Sequence, residues 1–313
     1  MLYYLILLVL LFAAELLYFR IADKFNIIDK PNERSSHTRI TLRGGGIIFY
    51  LGALAFFLTN GFAYPWFILG LTLIAGISFA DDVRSVPNRV RIVCHFTAML
   101  LLFYEWGLYS DFPWWYLLVA LIVCTGIINA YNFMDGINGM TGGYSLVILF
   151  YLIYVNHFIV HFVEMPFLYI AFLAVLVFNF FNFRNKAKCF AGDVGAVSMA
   201  FILLFVLGKL ILLTNDWTYI LFLAVYGVDS ILTIIHRLLL HENIFKAHRR
   251  HAYQVMANEL KIPHVAVSSF YALLQALLIA GFFCFYESRI LYTFLSLAAL
   301  TLAYLLFKRK YGR

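Results

Sequence analysis

The sequence predicts an all-α polytopic membrane protein with about eleven transmembrane helices and its polar loops on the cytoplasmic face. Three observations carry that expectation. Of 313 residues, 64% are hydrophobic and 12% charged, with a mean hydropathy of +0.88, whereas a soluble domain has roughly a quarter of its residues charged. Apolar runs close to the length needed to cross a bilayer recur at 2–19, 46–60, 65–80, 92–109, 114–130, 144–160, 166–183, 195–213, 218–236, 265–286 and 290–307. Finally, 21 of the 23 Lys and Arg residues fall in alternate connections. The positive-inside rule makes that side cytoplasmic, with the N-terminus outside and the C-terminus inside. No repeat or low-complexity stretch interrupts the pattern, so 1–313 reads as one integral-membrane domain.

The first run, Met1–Leu17, lacks a basic leader and a small-residue cleavage site, and reads as a retained membrane helix. The basic connections hold Arg20, Lys24, Lys30, Arg34, Arg39 and Arg43, then Arg84, Arg89 and Arg91, then Arg184, Lys186 and Lys188. Further on come Arg237, Lys246, Arg249, Arg250 and Lys261, and a tail with Lys308, Arg309, Lys310 and Arg313. The opposite loops carry Arg289 and the acids Asp111, Glu164, Asp216 and Glu287. The net charge of +7 therefore belongs to a membrane face, and no nucleic acid partner is expected. Cys94, Cys124, Cys189 and Cys284 form no CxxC and no metal spacing, so neither disulfides nor zinc are indicated.

The polar residues concentrate in five cytoplasmic segments. The most telling is Asn129-Ala-Tyr-Asn132-Phe-Met-Asp135-Gly-Ile-Asn138-Gly-Met-Thr-Gly-Gly143, between two apolar runs. Polar groups at a hydrocarbon boundary are costly, and non-helical backbone there is tolerated where it lines a cavity or is buried in protein. The bland alternative is a solvated glycine-rich loop. Asp81-Asp82 ends the third run, and two adjacent carboxylates repel each other unless a cation compensates. A divalent metal with oxygen ligands is the obvious one, and a helix cap is the rival reading. Gly192-Asp193-Val194-Gly195 opens another run, and its glycines let Asp193 present a carboxylate into a narrow space.

The longest segment centres on Ala247-His248-Arg249-Arg250-His251-Ala252-Tyr253-Gln254. His248 and His251 are spaced so that a helical turn would put them on one face, and Arg249 and Arg250 suit phosphate oxygens. His236 and His241 lie near, but no cysteine or HExxH pattern supports zinc; a lipid-binding basic patch is the stronger rival. Pro31-Asn32-Glu33-Arg34-Ser35-Ser36-His37-Thr38 and Arg43-Gly44-Gly45-Gly46 have a composition suited to phosphate, or to an interfacial loop. Arg89 and Arg91 add positive charge beyond the aspartate pair. Asp229 and Glu15 are acids inside apolar runs, which makes them candidates for the site.

Carboxylates for a metal, a basic loop with two histidines and an asparagine/glycine wall together suggest phosphoryl transfer on a diphosphate, with a lipid phosphate as one reactant. A transporter would concentrate polar groups near the bilayer midplane, which this chain does not. The order and spacing of Asp81-Asp82, Asn129–Gly139, Gly192-Asp193-x-Gly195 and His248–Gln254 resemble the polyprenyl-phosphate N-acetylhexosamine-1-phosphate transferases (glycosyltransferase family 4) over nearly the whole chain.

That resemblance implies ten or eleven membrane helices and transfer of a sugar 1-phosphate from a UDP-N-acetylsugar to undecaprenyl phosphate, with release of UMP. It implies Mg²⁺, with Mn²⁺ as a substitute ion, membrane lipid as surroundings and a homodimer as one candidate assembly. By resemblance, Asp193 is the principal metal aspartate, and Asp81 and Asp82 bind the metal or activate the lipid phosphate. Asn129, Asn132, Asp135 and Asn138 lie in the nucleotide-side motif, and His248, Arg249, Arg250 and His251 hold the diphosphate and sugar, with Arg43 and Arg89 as further substrate contacts. Asn138 and a loop without three consecutive histidines depart from the peptidoglycan branch, the phospho-N-acetylmuramoyl-pentapeptide transferases. They resemble members that initiate O-antigen or other surface polysaccharides, with N-acetylglucosamine or a 6-deoxy-N-acetylhexosamine as the sugar.

Overall fold

The computed structural model describes residues 1–29, 31, 40–243 and 248–311. The segment Asn32–Thr38 and the basic residues Lys30, Arg34, Arg39, Lys246 and Arg313 therefore lie outside the described residues. The chain runs α1 (Leu2–Lys24), a two-residue antiparallel pair β1 (Ile28–Asp29) and β2 (Thr41–Leu42), α2 (Ile47–Thr59), α3 (Pro65–Val83) and α4 (Asn88–Glu105). It continues through α5 (Trp115–Met134), α6 (Met140–Phe158), α7 (Met165–Asn182) and α8 (Gly192–Thr214). A 3₁₀ segment (Trp217–Leu223) leads into α9 (Ala224–Leu239). After the histidine loop come the short α10 (Ala252–Gln254), which passes into a π turn, then α11 (His264–Cys284) and α12 (Arg289–Tyr311).

Every apolar run of the sequence falls on a helix, and the protein is an all-α polytopic membrane protein. Among the described residues, eight helical segments are long and apolar enough to cross a membrane. α2 has only 13 residues. α4 begins with Arg89 and Arg91, and α6 is diluted by Gly142, Gly143, Asn156 and His157.

α8 is the axis of the bundle. Residues 194–207 are buried without a break, and the helix packs against α3, α5 and α2. A helix that is apolar all round belongs in the core of a bundle. It meets the chain entering α2 backbone to backbone, where a Cβ on Gly195 would stand 2.6 Å from Gly46 Cα. Gly45 N–H and Gly46 N–H donate to the carbonyls of Phe190 and Ala191 at 2.9 and 3.1 Å. The glycines of Arg43–Gly46, expected to suit phosphate, thus form a backbone-to-backbone packing seam.

The run 218–236 does not form one continuous helix. Asp216 accepts from Thr218 N–H at 3.0 Å and starts the 3₁₀ segment, and α-helix begins only at Ala224. The backbone groups freed at that change are met by a buried side chain from α11. Gln275 Nε2 donates to Leu221 O at 2.9 Å, while Gln275 Oε1 accepts from Val225 N–H at 3.1 Å and from Tyr144 Oη at 2.6 Å. Where no water reaches, a break in a helix persists only with such a replacement.

The seam sets a test on stability. Gly46→Ala is expected to cost about 3 kcal/mol or more, because its Cβ meets backbone that cannot rotate away. Gly126→Ala, in α5 with nothing within 4 Å, is expected to be neutral or to gain about 0.5–1 kcal/mol of helix propensity. Thermal unfolding of the two purified variants in one detergent measures the difference.

Candidate active site

The site begins where α3 ends against the start of α8. An α-helix leaves its first amides without internal partners and carries partial positive charge there. Asp82 meets both needs from the neighbouring helix. Its Oδ1 accepts from Asp193 N–H and its Oδ2 from Val194 N–H, each at 2.9 Å. Arg43 Nε lies 2.6 Å from Asp82 Oδ1. Gly192 turns the chain at φ +72°, and a Cβ there would stand 2.5 Å from Asp82 Oδ2 and 2.8 Å from Gly44 N. The glycines around Asp193 are therefore fixed by packing: the first admits Asp82 and the second admits Gly46.

Asp81 and Asp82 are expected to need a compensating cation. The structure supplies arginines. Arg43 serves Asp82, and Arg91 Nη1 lies 2.7 Å from Asp81 Oδ2, while Asp81 Oδ1 accepts from Val86 N–H at 2.7 Å. Asp193 stands between the two guanidinium groups at longer range, 3.5 Å from Arg43 Nη2 and 3.5 Å from Arg91 Nη2. Among the described residues no three His, Cys, Asp or Glu side chains are gathered so as to hold a metal ion by themselves. Mg²⁺ ordinarily takes one or two carboxylates and completes its shell with water and phosphate oxygens. Asp193, with long arginine contacts, fits that demand best, and Asp81 next. Asp82 fits it poorly, because both of its oxygens are occupied by α8 amides.

Arg91 opens onto a cleft of about 600 Å³ between α4, α5 and the histidine loop, with Asn129, Asn132, His95, His248 and His251 around it. Its lining also carries the apolar side chains Ile92, Phe96, Met99 and Leu121. Asn129 Nδ2 donates to Thr125 O in its own helix at 3.0 Å. Arg89 is exposed and lies outside the lining, so it is Arg91 that reaches the carboxylates.

His248 and His251 come together, with ring centroids 5.0 Å apart, but not on a helical turn. The backbone is non-helical up to His251, which caps α10 in an extended conformation and exchanges hydrogen bonds with Gln254. Burial lowers the His248 imidazole to about 4, and the neighbouring His251 adds to the shift, so His248 is neutral at pH 7. Arg250 turns to Glu242, with Nη2 2.5 Å from Oε1. Arg249, half-buried, is also absent from the cleft lining. The pair expected to grip phosphate is thus held beside the cleft and not in it.

The Asn129–Gly143 stretch divides. Asn132 lines the cleft, whereas Asn138 faces a second recess of about 1100 Å³ with Phe190, Lys186, Lys188 and Arg20. Asn138 Nδ2 donates to the carbonyls of Arg184 and Asn185 at 2.9 and 3.3 Å, which ties that recess together. Between the two, Asp135 accepts from Thr141 Oγ1 at 2.7 Å. Burial lifts its carboxyl to about 7, opposed by the Thr141 hydrogen bond and helped by the charges of Asp193 and Asp82.

His95 is a site residue that the sequence reading missed. It stands one helical turn after Arg91 on α4, and its Nε2 is buried without a hydrogen-bond partner among the described residues. The i, i+4 spacing of Arg91 and His95 was the available signal.

A membrane bundle with carboxylates, arginines and histidines gathered at one end, between a basic recess and a half-apolar cleft, defines a membrane-embedded transferase of phosphorylated groups. The model of "Glycosyl transferase family 4" matches residues 64–211, which carry Asp81, Asp82, Asn129–Gly139 and Asp193. The chain is 26% identical over 256 residues to a probable undecaprenyl-phosphate N-acetylglucosaminyl 1-phosphate transferase of Bacillus subtilis (strain 168), covering 75% of this chain and 70% of that one. It is 32% identical over 174 residues to a phospho-N-acetylmuramoyl-pentapeptide-transferase of Dictyoglomus thermophilum, covering 50% and 55%. An undecaprenyl-phosphate alpha-N-acetylglucosaminyl 1-phosphate transferase of Thermotoga maritima is 24% identical over 247 residues, 76% of each chain. The chain is thus similar to glycosyl transferase family 4, whose model matches somewhat under half of it.

Two outcomes are expected. Asp82→Ala strands two amides and leaves a half-buried guanidinium unpaired, so it is expected to cost about 1–3 kcal/mol and to lower the melting temperature, whereas Asp193→Ala leaves it nearly unchanged. Separately, Asp135 is an acid whose folded pKa lies above the unfolded value near 4. Between about 4 and 7 the folded state holds a proton that the unfolded state releases, so stability falls as pH rises through that window. Melting temperatures from pH 4.5 to 8 are expected to lose that component in Asp135→Asn.

Proposed function

We propose that this protein transfers an N-acetylhexosamine 1-phosphate from a UDP-N-acetylsugar to undecaprenyl phosphate and releases UMP. The reaction would occur at the cytoplasmic face of a bacterial inner membrane, with the N-terminus outside and the C-terminus inside. The observation that carries this reading is the position of Asp193. Arg91, on the cleft, flanks it at 3.5 Å, and Phe190, on the basic recess, precedes it by three residues. A nucleoside diphosphate suits the recess with its lysines, and a phosphate on an apolar tail suits the cleft with its apolar side chains. An oxygen of the lipid phosphate attacks the β-phosphorus, the P–O bond to the α-phosphate breaks, and UMP leaves with the bridging oxygen.

Catalysis of this kind is mostly positioning and charge neutralisation. Arg43 and Arg91 supply two guanidinium groups that phosphate oxygens can share with the carboxylates. Asp193, with Asp81, would hold Mg²⁺ or Mn²⁺, which when bound neutralises diphosphate charge. The proposed sugar is N-acetylglucosamine or a 6-deoxy-N-acetylhexosamine, and the product would begin a surface glycan. The similarity to the phospho-N-acetylmuramoyl-pentapeptide-transferase of Dictyoglomus thermophilum favours the peptidoglycan precursor as the second reading.

Purified protein given undecaprenyl phosphate, Mg²⁺ and single UDP-N-acetylsugars is expected to release UMP with one or two of them and to stop on adding EDTA. Asp193→Asn is expected to lose turnover by about 100-fold or more while folding normally. Turnover only with UDP-N-acetylmuramoyl-pentapeptide would select the second reading, and near-normal activity of Asp193→Asn would defeat the assigned role.

A further inference from the structure

His251 is the member of the histidine loop that the bundle fixes most firmly, and an acid on another helix does the fixing. Asp229, buried in α9, collects donors from several directions. Ala252 N–H donates to Oδ1 at 3.0 Å, Thr233 Oγ1 to Oδ1 at 3.2 Å, and Tyr271 Oη, from α11, to Oδ2 at 2.6 Å. His251 Nδ1 lies 3.3 Å from Oδ1. Gln254 N–H also points toward Nδ1, but that amide donates to His251 O at 3.0 Å; a carboxylate accepts only, so facing Asp229 Nδ1 carries the hydrogen and Nε2 is left as the open nitrogen. Nε2 is buried and has no hydrogen-bond partner among the described residues, although His251 lines the cleft beside Arg91 and Asn132. An unpartnered buried nitrogen is costly, and an acid inside an apolar helix is seldom idle. Both are accounted for if the nitrogen is reserved for a ligand.

We infer that Asp229 is a positioning residue for the transfer: it fixes the tautomer and ring plane of His251 so that Nε2 meets a phosphate oxygen of the substrate in the cleft. The inference rests on the transfer reading above. A proton on that phosphate oxygen passes to Nε2; only the O–H bond breaks and only the N–H bond forms. The imidazolium is then held between the phosphate and the Asp229 carboxylate. Tyr271 acts one step further back, by holding Oδ2.

The test compares wild type, Asp229→Asn, His251→Gln, Tyr271→Phe and the two doubles with His251→Gln, as full-length protein in lipid nanodiscs. Each is assayed for kcat, for KM with the UDP-sugar that wild type uses, and for melting temperature. Asp229→Asn is expected to lower kcat about 10- to 100-fold, the usual range for a group that orients a functional histidine, with KM within about threefold. Tyr271→Phe is expected to lower kcat less. In the His251→Gln background neither change is expected to lower kcat further, because coupled residues are non-additive.

Retention of kcat within about twofold by Asp229→Asn would overturn the inference. So would an equal loss with and without His251, the signature of a general packing role. If Asp229→Asn does not fold, Tyr271→Phe in the two backgrounds decides: a loss confined to the background with His251 upholds the inference, and an equal loss overturns it. A wild type that turns over no UDP-sugar would overturn the transfer reading itself, and this inference with it.

Discussion

The structure depends on one interaction, the Asp82 carboxylate seated on the N-terminus of α8. α8 is the helix that the bundle surrounds, buried without a break over 194–207. Its first amides are half-buried to buried, and a missing partner would cost free energy there. Asp82 serves two of them and in turn requires Arg43. That requirement fixes Gly192, which leaves room for the carboxylate, and draws the chain before α2 against α8, where Gly46 and Gly195 meet. Asp193 is then carried to its place between Arg43 and Arg91 by the same turn. The axis of the bundle and the centre of the site are one feature.

The four carboxylates consequently differ in what they can do. Asp82 is held by backbone amides and a guanidinium. Asp81 is held by Arg91 and Val86 N–H. Asp135 is buried enough to favour its proton near neutral pH. Asp193 stands beside Asp81 and meets both guanidinium groups at 3.5 Å, so its arginine contacts are the ones exchanged at least cost. Substrate phosphates can draw Arg43 and Arg91 toward themselves, because guanidinium pairs with phosphate as readily as with carboxylate. A cluster of equal charges thereby becomes an ordered set with one responsive member.

Deeper in the bundle two buried carboxamides follow the same rule, answering backbone needs that the membrane leaves unmet. Gln275 repairs the change of helix type before α9, and that change brings Asp229 to the back of the histidine loop. Asn156 does comparable work on the opposite side, where its carboxamide oxygen accepts from Phe162 and Val163 N–H at 2.9 and 3.1 Å.

The helical class was legible in the chain because bilayer thickness imposes run lengths, and the candidate polar residues were legible because they stand out at a hydrocarbon boundary. All the apolar runs became helices, and Asp193, Asn132, His248 and His251 do meet around one end of the bundle. Which cation answers Asp81 and Asp82, which arginine reaches the cleft, and that the Arg43–Gly46 glycines serve packing were not legible. Each depends on a partner brought in from another element, or on which side of α4 faces inward. Arg89 and Arg91 differ by two positions, so they lie on different faces of one helix, and only the packing of α4 selects Arg91. Sequence by itself determined the placement of the apolar helices and the chemical kinds of group at the hydrocarbon boundary, since both follow from local composition against a fixed hydrocarbon thickness. Tertiary structure decided which of those groups are occupied and which are open, because that is settled by the unmet hydrogen-bonding and charge of whatever packs beside them.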